Sequence, residues 1–117
     1  MNELTSVEDL HKVVEESRGH AVILFKHSTA CPISARAARR VHEYVEAASE
    51  TAPPFYLIKV IESRKISDAV ATELGVDHES PQILLVRDGK AVWNTSHSSI
   101  RAEAIDAAIA QHAAPAS

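Results

Sequence analysis

The sequence predicts an α/β fold in which helices flank a mixed four-stranded sheet, in the order α-β-α-β-α-β-β-α. Two apolar runs without alternation, residues 21–25 and 55–60, indicate strands that are covered on both faces, as parallel strands usually are. A helical pattern between these runs indicates a right-handed crossover connection. Later in the chain, an Asp-Gly pair between two strand-like runs indicates an antiparallel hairpin.

The first helix and first strand are predicted from the N-terminal quarter of the chain. Thr5 and Glu8 have capping-box spacing, and apolar residues then recur at helical intervals. This pattern predicts a helix over about 7–18 that ends at Gly19. The apolar run 21–25 is too short for a buried helix and predicts the first strand of the sheet.

The second helix is predicted to begin at Cys31 and to end near residue 49. Pro32 suits the first helical position, because the N–H that proline lacks has no helical partner there. Apolar residues continue along one face of this segment. The pair Pro53-Pro54 then breaks the chain, and the run 55–60 predicts the second strand.

The C-terminal half is predicted to form a helix, the hairpin and a last helix. Apolar residues at helical spacing between 66 and 74 predict a helix of about ten residues, and Gly75 suits a left-handed C-terminal position. The runs 83–86 and 91–93 flank Arg87-Asp88-Gly89-Lys90 and predict the antiparallel strands.

A final amphipathic segment predicts a helix over about 99–112, after which we expect the chain to fray through 113–117. After the first helix, this order of elements is the thioredoxin arrangement, with a βαβ half, a connecting helix and a ββα half. Sites in open α/β sheets form beyond the carboxyl ends of parallel strands. Cys31 follows the first strand and is expected at such an end.

Length and composition limit the classes of function. A chain of 117 residues supports one core, so we expect a single domain over 1–117. The formal charge is −4 and the basic residues are dispersed, which argues against a nucleic-acid partner. Residues 1–9 are acidic and polar, unlike a secretory signal, and no apolar run is long enough to span a membrane. These features, with a single thiol, favour a reducing cytoplasm.

Cys31 is the only cysteine in the chain and the principal candidate for catalysis. A helix start offers unpaired N–H groups and the positive end of the helix dipole, and both stabilise a thiolate. Lys26 and His27 lie just upstream, and such electropositive, partly exposed surroundings are typical of reactive thiols. The alternative is a buried cysteine that only packs.

The neighbours of Cys31 leave several roles open. Ser34 occupies the fourth position of the Cys-x-x-x window, so Cys31 cannot close an internal disulfide. Ser34 is expected either to donate a hydrogen bond to the thiolate or to be an ordinary polar residue of the first turn. His27 either tunes Cys31 electrostatically or faces solvent. The other histidines lack the paired spacing of a zinc site, so no metal site is predicted.

Ser80-Pro81 is the second candidate feature, because it directly precedes a predicted strand. Proline is confined to strand starts, edges and bulges, and X-Pro bonds are the ones that adopt cis. An ordinary trans proline is one interpretation. In thioredoxin-like proteins, however, a cis proline at this point faces the reactive cysteine, and the preceding backbone pairs with an extended substrate. The topology favours the cis form here.

Three segments together resemble the monothiol bacilliredoxin family, which acts in bacillithiol redox chemistry and has a thioredoxin-like fold. They are Phe-Lys-His-Ser-Thr-Ala-Cys-Pro-Ile-Ser at 25–34, His-Glu-Ser-Pro-Gln at 78–82, and Ser96-His97 followed by Ile100. Family members more often have threonine where this chain has Ala30, so one hydroxyl beside the sulfur is lost. The nucleophile itself is retained.

The resemblance implies that Cys31 exchanges with bacillithiol mixed disulfides and that Pro81 is the cis proline of the groove. No tightly bound cofactor is expected, and bacillithiol is the co-substrate. This thiol carries a cysteine amine, a sugar and a malate, so its carboxylates need cations. Lys26 and Arg64 are candidates by charge. The expected substrate-binding set is Lys26, His27, Pro32, Ser34, Ser80 and Pro81.

A single thiol sets the expected chemistry and its alternatives. Cys31 takes the small thiol from an S-thiolated client protein, and a second thiol or a reductase must then release it. One alternative is a monothiol glutaredoxin-like protein that uses glutathione. Another is a protein without enzymatic activity, either a redox sensor or an iron–sulfur carrier; Pro32 disfavours the iron–sulfur cluster. The last is an interaction module with an inert cysteine.

Overall fold

The computed structural model describes residues 1–113, and the fraying expected over 114–117 lies outside these residues. The strands are β1 (Asn2–Glu3), β2 (Val22–His27), β3 (Phe55–Lys59), β4 (Gln82–Arg87) and β5 (Lys90–Ser96). The helices are α1 (Val7–Glu16), α2 (Pro32–Ala47), α3 (Arg64–Leu74) and α4 (Ala102–His112), with a short 3-10 helix at His97–Ser99.

The described residues form a five-stranded mixed sheet in the order β1-β3-β2-β4-β5, so the prediction of four strands was wrong by one. The additional strand, β1, pairs in parallel with β3 through Tyr56 and Leu57. It contains only Asn2 and Glu3, and both are exposed. Two polar residues at a sheet edge carry no hydrophobic pattern, which is why this strand could not be predicted.

The parallel pairing of β2 with β3 and the antiparallel hairpin of β4 with β5 are confirmed. Asp88 and Gly89 connect the hairpin strands with φ of 54° and 76°, as a two-residue turn of mirror-image type requires. β4 also pairs antiparallel to β2, so β2 is the middle strand of the five, with β3 and β4 as its neighbours.

Both faces of the central strands are buried, which explains their continuous apolar runs. Ile23 and Phe25 of β2 pack with residues of α2 and α4 on one face. Val22 and Leu24 pack with residues of α1 and α3 on the other face. The sheet is therefore covered by a layer of helices on each side. The edge at which the parallel strands β2 and β3 end lies between these two layers.

The predicted boundaries of α1 and α4 need correction. α1 is capped by Ser6, whose Oγ accepts the Asp9 N–H at 3.0 Å, so the cap lies one residue after Thr5. α1 ends at Glu16 and not at 18, with Ser17 as its C-cap. The Ser17 Oγ accepts the Gly89 N–H at 2.9 Å and so connects this helix end to the hairpin. α4 begins at Ala102, since the 3-10 helix occupies 97–99.

The third helix matches its prediction at the C-terminal end. Gly75 follows Leu74 with a left-handed φ of 67°, as a glycine after the last helical turn allows at low cost. Within the described residues, no helix has both the length and the apolar character needed to cross a membrane.

Candidate functional site

Cys31 is the N-cap residue of α2 and follows β2 through a short loop. Its backbone is extended, with φ of −114° and ψ of 123°, so the helix begins at Pro32 and not at the cysteine. The Cys31 side chain is partly exposed and makes no capping hydrogen bond. The sulfur is thus accessible beside the first turn of a 16-residue helix, where backbone N–H groups and the helix dipole favour negative charge.

Ser34 is fully buried and ties the loop before the cysteine to the first turn of α2. Its Oγ accepts the Ser28 N–H at 2.9 Å and lies 2.7 Å from Nδ1 of His27. These contacts join the end of β2 to α2 on either side of Cys31. Ser34 therefore connects the loop after β2 to α2, a structural role that its position in the sequence did not predict.

His27 ends β2 and is half-buried beside this serine. Its ring stacks on Phe25, with 5.9 Å between the ring centres and 14° between the planes. Burial lowers the pKa of His27, while Glu62 acts in the opposite direction. A neutral imidazole is therefore favoured near pH 7, and it has one donor and one acceptor nitrogen for the Ser34 hydroxyl and the surroundings.

Lys26 lies in the core and not on the surface, which the sequence did not predict. Its side chain is completely buried on the α1 and α3 face, and Nζ donates to the carbonyl oxygen of Ser67 at 3.5 Å. Burial lowers the pKa of Lys26 to about 8, against a raising contribution from Asp68. The structure does not support Lys26 as a surface cation for an anionic ligand. Arg64, the other candidate, is exposed at the first position of α3.

The Ser80–Pro81 peptide bond is cis, and Pro81 directly precedes β4. The next residue, Gln82, pairs with Lys26 in the antiparallel register of β4 and β2. The start of β4 therefore meets the carboxyl end of β2, and Pro81 lies beside His27 at that edge of the sheet. The Oγ of Ser80 is buried and has no hydrogen-bond partner within residues 1–113.

The segment before Pro81 is held by a buried glutamine whose role the sequence did not predict. The Nε2 of Gln82 donates to the carbonyl oxygen of Asp77 at 3.1 Å, and its Oε1 accepts the Glu79 N–H at 3.4 Å. Gln82 is 1% exposed. The only signal in the sequence was its place after Ser80-Pro81, since a polar residue at a buried strand start needs such partners.

His97 was also missed as part of this edge. It follows β5 with a left-handed φ of 54°, and its N–H donates to the Pro81 carbonyl oxygen at 3.0 Å. Its Nε2 lies 3.8 Å from the carboxylate of Glu79. Ser96-His97 belongs to one of the three segments that resemble the family. Its contact with Pro81 could not be predicted from the sequence, because this contact depends on the register of the strands.

On the other side of the cysteine, the loop after β3 approaches the loop after β2. The Thr29 hydroxyl donates to a carboxylate oxygen of Glu62 at 3.1 Å. Two large apolar side chains in these regions are exposed, Ile33 at 47% and Ile61 at 51%. Exposed apolar groups near a reactive residue are suited to contact with a partner surface.

No metal centre is indicated by the described part of the chain. In residues 1–113, no three or more His, Cys, Asp or Glu side chains are grouped so that they could hold a metal ion.

The buried lysine leads to a testable prediction for stability against pH. The pKa of Lys26 is 10.5 as a free side chain and about 8 in the folded chain. Between these values the unfolded state binds more protons, so the free energy of unfolding should rise with pH, by up to about 3 kcal/mol. Lys26→Met removes this titration, and we expect it to flatten the rise.

Chemical denaturation at several pH values measures this effect. Near neutral pH, Lys26→Met should be at least as stable as the parent chain, because methionine fills the space without a buried charge. The exposed Lys65, converted to methionine, is the matched control and should retain the parent pH dependence. If the free energy of unfolding rose equally with pH in the parent and in Lys26→Met between pH 8 and 10.5, the result would contradict the burial of a titrating Lys26 ammonium.

Comparison with known proteins gives both a family and a fold. Residues 2–105 match the family model described as monothiol bacilliredoxin BrxC. A solved structure described as an oxidoreductase with a thioredoxin fold is 33% identical, with a TM-score of 0.80; the match covers 92% of this chain and 91% of that chain.

Two thioredoxin structures, from Fasciola hepatica and Malassezia sympodialis, are similar in fold. They are 20% and 19% identical to this chain, each with a TM-score of 0.74. The matches cover 96% and 97% of this chain and 99% and 91% of the respective thioredoxins. At this identity the similarity shows the thioredoxin fold alone.

Proposed function

We propose a substrate and a reaction cycle for this chain, which belongs to the monothiol bacilliredoxin family and is a thiol–disulfide oxidoreductase of thioredoxin-like fold. The substrate is an S-bacillithiolated client protein, and the product is the client with its thiol restored. Cys31 is the nucleophile, and no tightly bound cofactor takes part. Because the reaction needs a reduced thiol at its start, we assign it to a reducing cytoplasm.

The cycle consists of two exchanges that each conserve one disulfide. The Cys31 thiolate attacks the bacillithiol sulfur of the client disulfide, a bond forms between these two sulfurs, and the client sulfur leaves as a thiolate that takes up a proton. A second bacillithiol, or the thiol of a reductase, then attacks the bacillithiol sulfur of the mixed disulfide, and a new disulfide forms between these two sulfurs. Cys31 is released as a thiolate, and the electrons for the cycle come from this second thiol.

The observation that carries this proposal is the pairing of an accessible Cys31 with a buried Ser34 at the start of α2. A resolving cysteine would occupy the position of Ser34 in a Cys-x-x-Cys site. Here that position holds a hydroxyl whose bonds to Ser28 and His27 stabilise the loop. Since the chain has no other thiol, the mixed disulfide at Cys31 must persist until an external thiol arrives.

The other residues of the predicted set have supporting roles in this proposal. Pro32 fixes the first turn of α2 behind the sulfur. Ser80 and Pro81 form the wall of the groove at the start of β4, and the backbone before Pro81 pairs with the substrate that occupies this groove. His27 and Ser34 hold the cysteine loop. Lys26 is buried and is therefore left out of the binding set.

Contact with the client is proposed to involve the exposed Ile33 and Ile61. Ile33 follows the Cys31-Pro32 pair, and Ile61 lies in the loop that approaches Thr29 through Glu62. Apolar contact on this side would hold the client while the small thiol occupies the groove at Pro81.

The test is to present the reduced protein with one client protein carrying either bacillithiol or glutathione as a mixed disulfide. Intact mass then follows the appearance of each label on Cys31. We expect the bacillithiol label to move to Cys31 in single turnover and to remain there until a second thiol is added. Movement of the glutathione label alone would assign the glutaredoxin-like alternative, and movement of neither label would reject transfer by Cys31.

A further inference from the structure

We propose that Glu79, positioned by His97, selects the small thiol by the positive charge on its cysteine amine. This inference rests on the proposed function, because it concerns the thiol that Cys31 receives. Bacillithiol keeps a free amine on its cysteine, which is protonated near neutral pH, whereas the cysteine nitrogen of glutathione is a neutral amide. A carboxylate beside the Cys31 groove would therefore favour the first thiol over the second.

Strand order places Glu79 and His97 at the edge where the cysteine loop begins. Gln82 of β4 pairs with Lys26 of β2 on one side and with Ser96 of β5 on the other. Pro81 consequently lies between the end of β2, which leads to Cys31, and the end of β5, which leads to His97. Glu79 precedes Pro81 by two residues and faces His97 across this position.

The backbone at His97 is fixed without any contribution from its imidazole. The N–H donates to the Pro81 carbonyl oxygen at 3.0 Å, and the His97 carbonyl oxygen accepts from the Ile100 N–H at 3.2 Å and from Nη2 of Arg40 at 3.4 Å. Its φ of 54° is left-handed, a conformation that costs glycine less than any residue with a side chain. The backbone conformation therefore does not require a histidine side chain here, and among residues 1–113 the contact with Glu79 is the one polar contact that this side chain adds.

The carboxylate of Glu79 retains capacity to bind a ligand. Its distance to Nε2 of His97 is 3.8 Å, longer than a hydrogen bond, and the two side chains are 52% and 47% exposed. An ionised carboxylate accepts several hydrogen bonds, so this loose contact leaves the Glu79 carboxylate able to accept others. The main chain of Glu79 is held by Gln82, which keeps the side chain near Pro81.

Glu62 is the carboxylate that faces the cysteine loop from the opposite side. It accepts a hydrogen bond from the Thr29 hydroxyl at 3.1 Å. Glu62 lies after β3, on the far side of β2 from Pro81. A small thiol bound against Pro81 would therefore meet Glu79 and not Glu62, and Glu62 supplies a control of the same charge.

The chemistry of the mixed disulfide makes this contact selective. When a free cysteine is joined to Cys31, its ammonium is attached to the second carbon from the bridging sulfur, so it stays close to the groove. Acylation of this nitrogen removes the charge and leaves the sulfur, the carbon chain and the carboxylate in place. The exchange itself is unchanged in atoms and electrons, and only the strength of binding before attack differs.

The test uses one client protein labelled with cysteine or with N-acetylcysteine, which differ at the amine. The measured quantity is the ratio of the rates at which the two labels reach Cys31, near neutral pH and at low salt. We expect the parent protein to prefer the cysteine label, and Glu79→Gln to reduce this ratio by about two- to five-fold, as for exposed ion pairs. The N-acetylcysteine rate should remain at the parent value.

Two further variants and two contrary outcomes decide the test. Glu62→Gln should keep the parent ratio, and Glu79→Asp should recover part of the preference. An equal loss of both rates in Glu79→Gln would show a structural role and overturn the selection. Equal rates for the two labels in the parent protein would also overturn the selection, but the transfer reaction would still stand. Transfer of neither label would reject the proposed function itself.

Discussion

Replacement of Cys31 by serine is expected to abolish transfer of the small thiol completely and to leave the fold intact. The chain has no second thiol that could take over, and a serine hydroxyl does not attack a disulfide under these conditions. Cys31 is the N-cap of α2 but makes no capping hydrogen bond with its side chain. Serine is among the preferred N-cap residues, so the variant should be as stable as the parent or more stable by about 1 kcal/mol.

Two measurements separate loss of chemistry from loss of structure. Intact mass reports whether any label reaches the chain, and thermal unfolding reports whether α2 remains folded. Ala30→Ser is a suitable control, because it adds the same hydroxyl to the exposed neighbour and keeps the sulfur. Label transfer by the Cys31→Ser variant, or a lowered melting temperature that accounts for its inactivity, would contradict the assignment of Cys31 as the nucleophile.

Much of the fold could be predicted because its elements have local signals. The strands β2 and β3 are continuous apolar runs, and such runs result from helices on both faces of a parallel pair. Gly75 and the Asp88-Gly89 pair mark positions where the backbone has positive φ. β1 escaped prediction because two exposed polar residues are defined only by their pairing with β3.

The site was predictable only where its position follows from chain order. Cys31 could be placed at a helix start because Pro32 marks the first helical residue. Lys26 could not be placed, since a lysine at the end of a strand usually lies at the surface, and only the packing of α3 shows that it is buried. Ser34 contacts the loop after β2, and His97 contacts Pro81 before β4. Both contacts depend on how the loops and strands come together in the fold, which no local sequence pattern predicts.

Ser34→Cys is expected to eliminate the persistent mixed disulfide that characterises the parent protein. In the parent, a label that reaches Cys31 stays there until a second thiol is supplied. A thiol at position 34 lies at the third residue of the helix that Cys31 caps, one turn away, so it can attack Cys31 in its mixed disulfide. An internal disulfide then forms, and the small thiol leaves.

Single-turnover mass measurements without added thiol test this expectation. Ser34→Cys should show release of the label and a chain lighter than its reduced form by two hydrogen atoms, whereas the parent should show the label bound. The substitution also removes the hydroxyl that accepts the Ser28 N–H, which should destabilise the chain by about 1–3 kcal/mol. Ser34→Ala loses the same bond without adding a thiol, and it should therefore retain the label on Cys31.

The comparison of these two variants isolates the chemical role of the position. If Ser34→Ala also lost the label, its release would follow from loosening of the loop at His27 and Ser28 and not from a second thiol. If Ser34→Cys retained the label as the parent does, the lack of a second cysteine could not be the reason that release of the label from the parent requires an added thiol. The expected pattern, with release from Ser34→Cys alone, makes the buried hydroxyl the reason that each turnover needs a partner thiol.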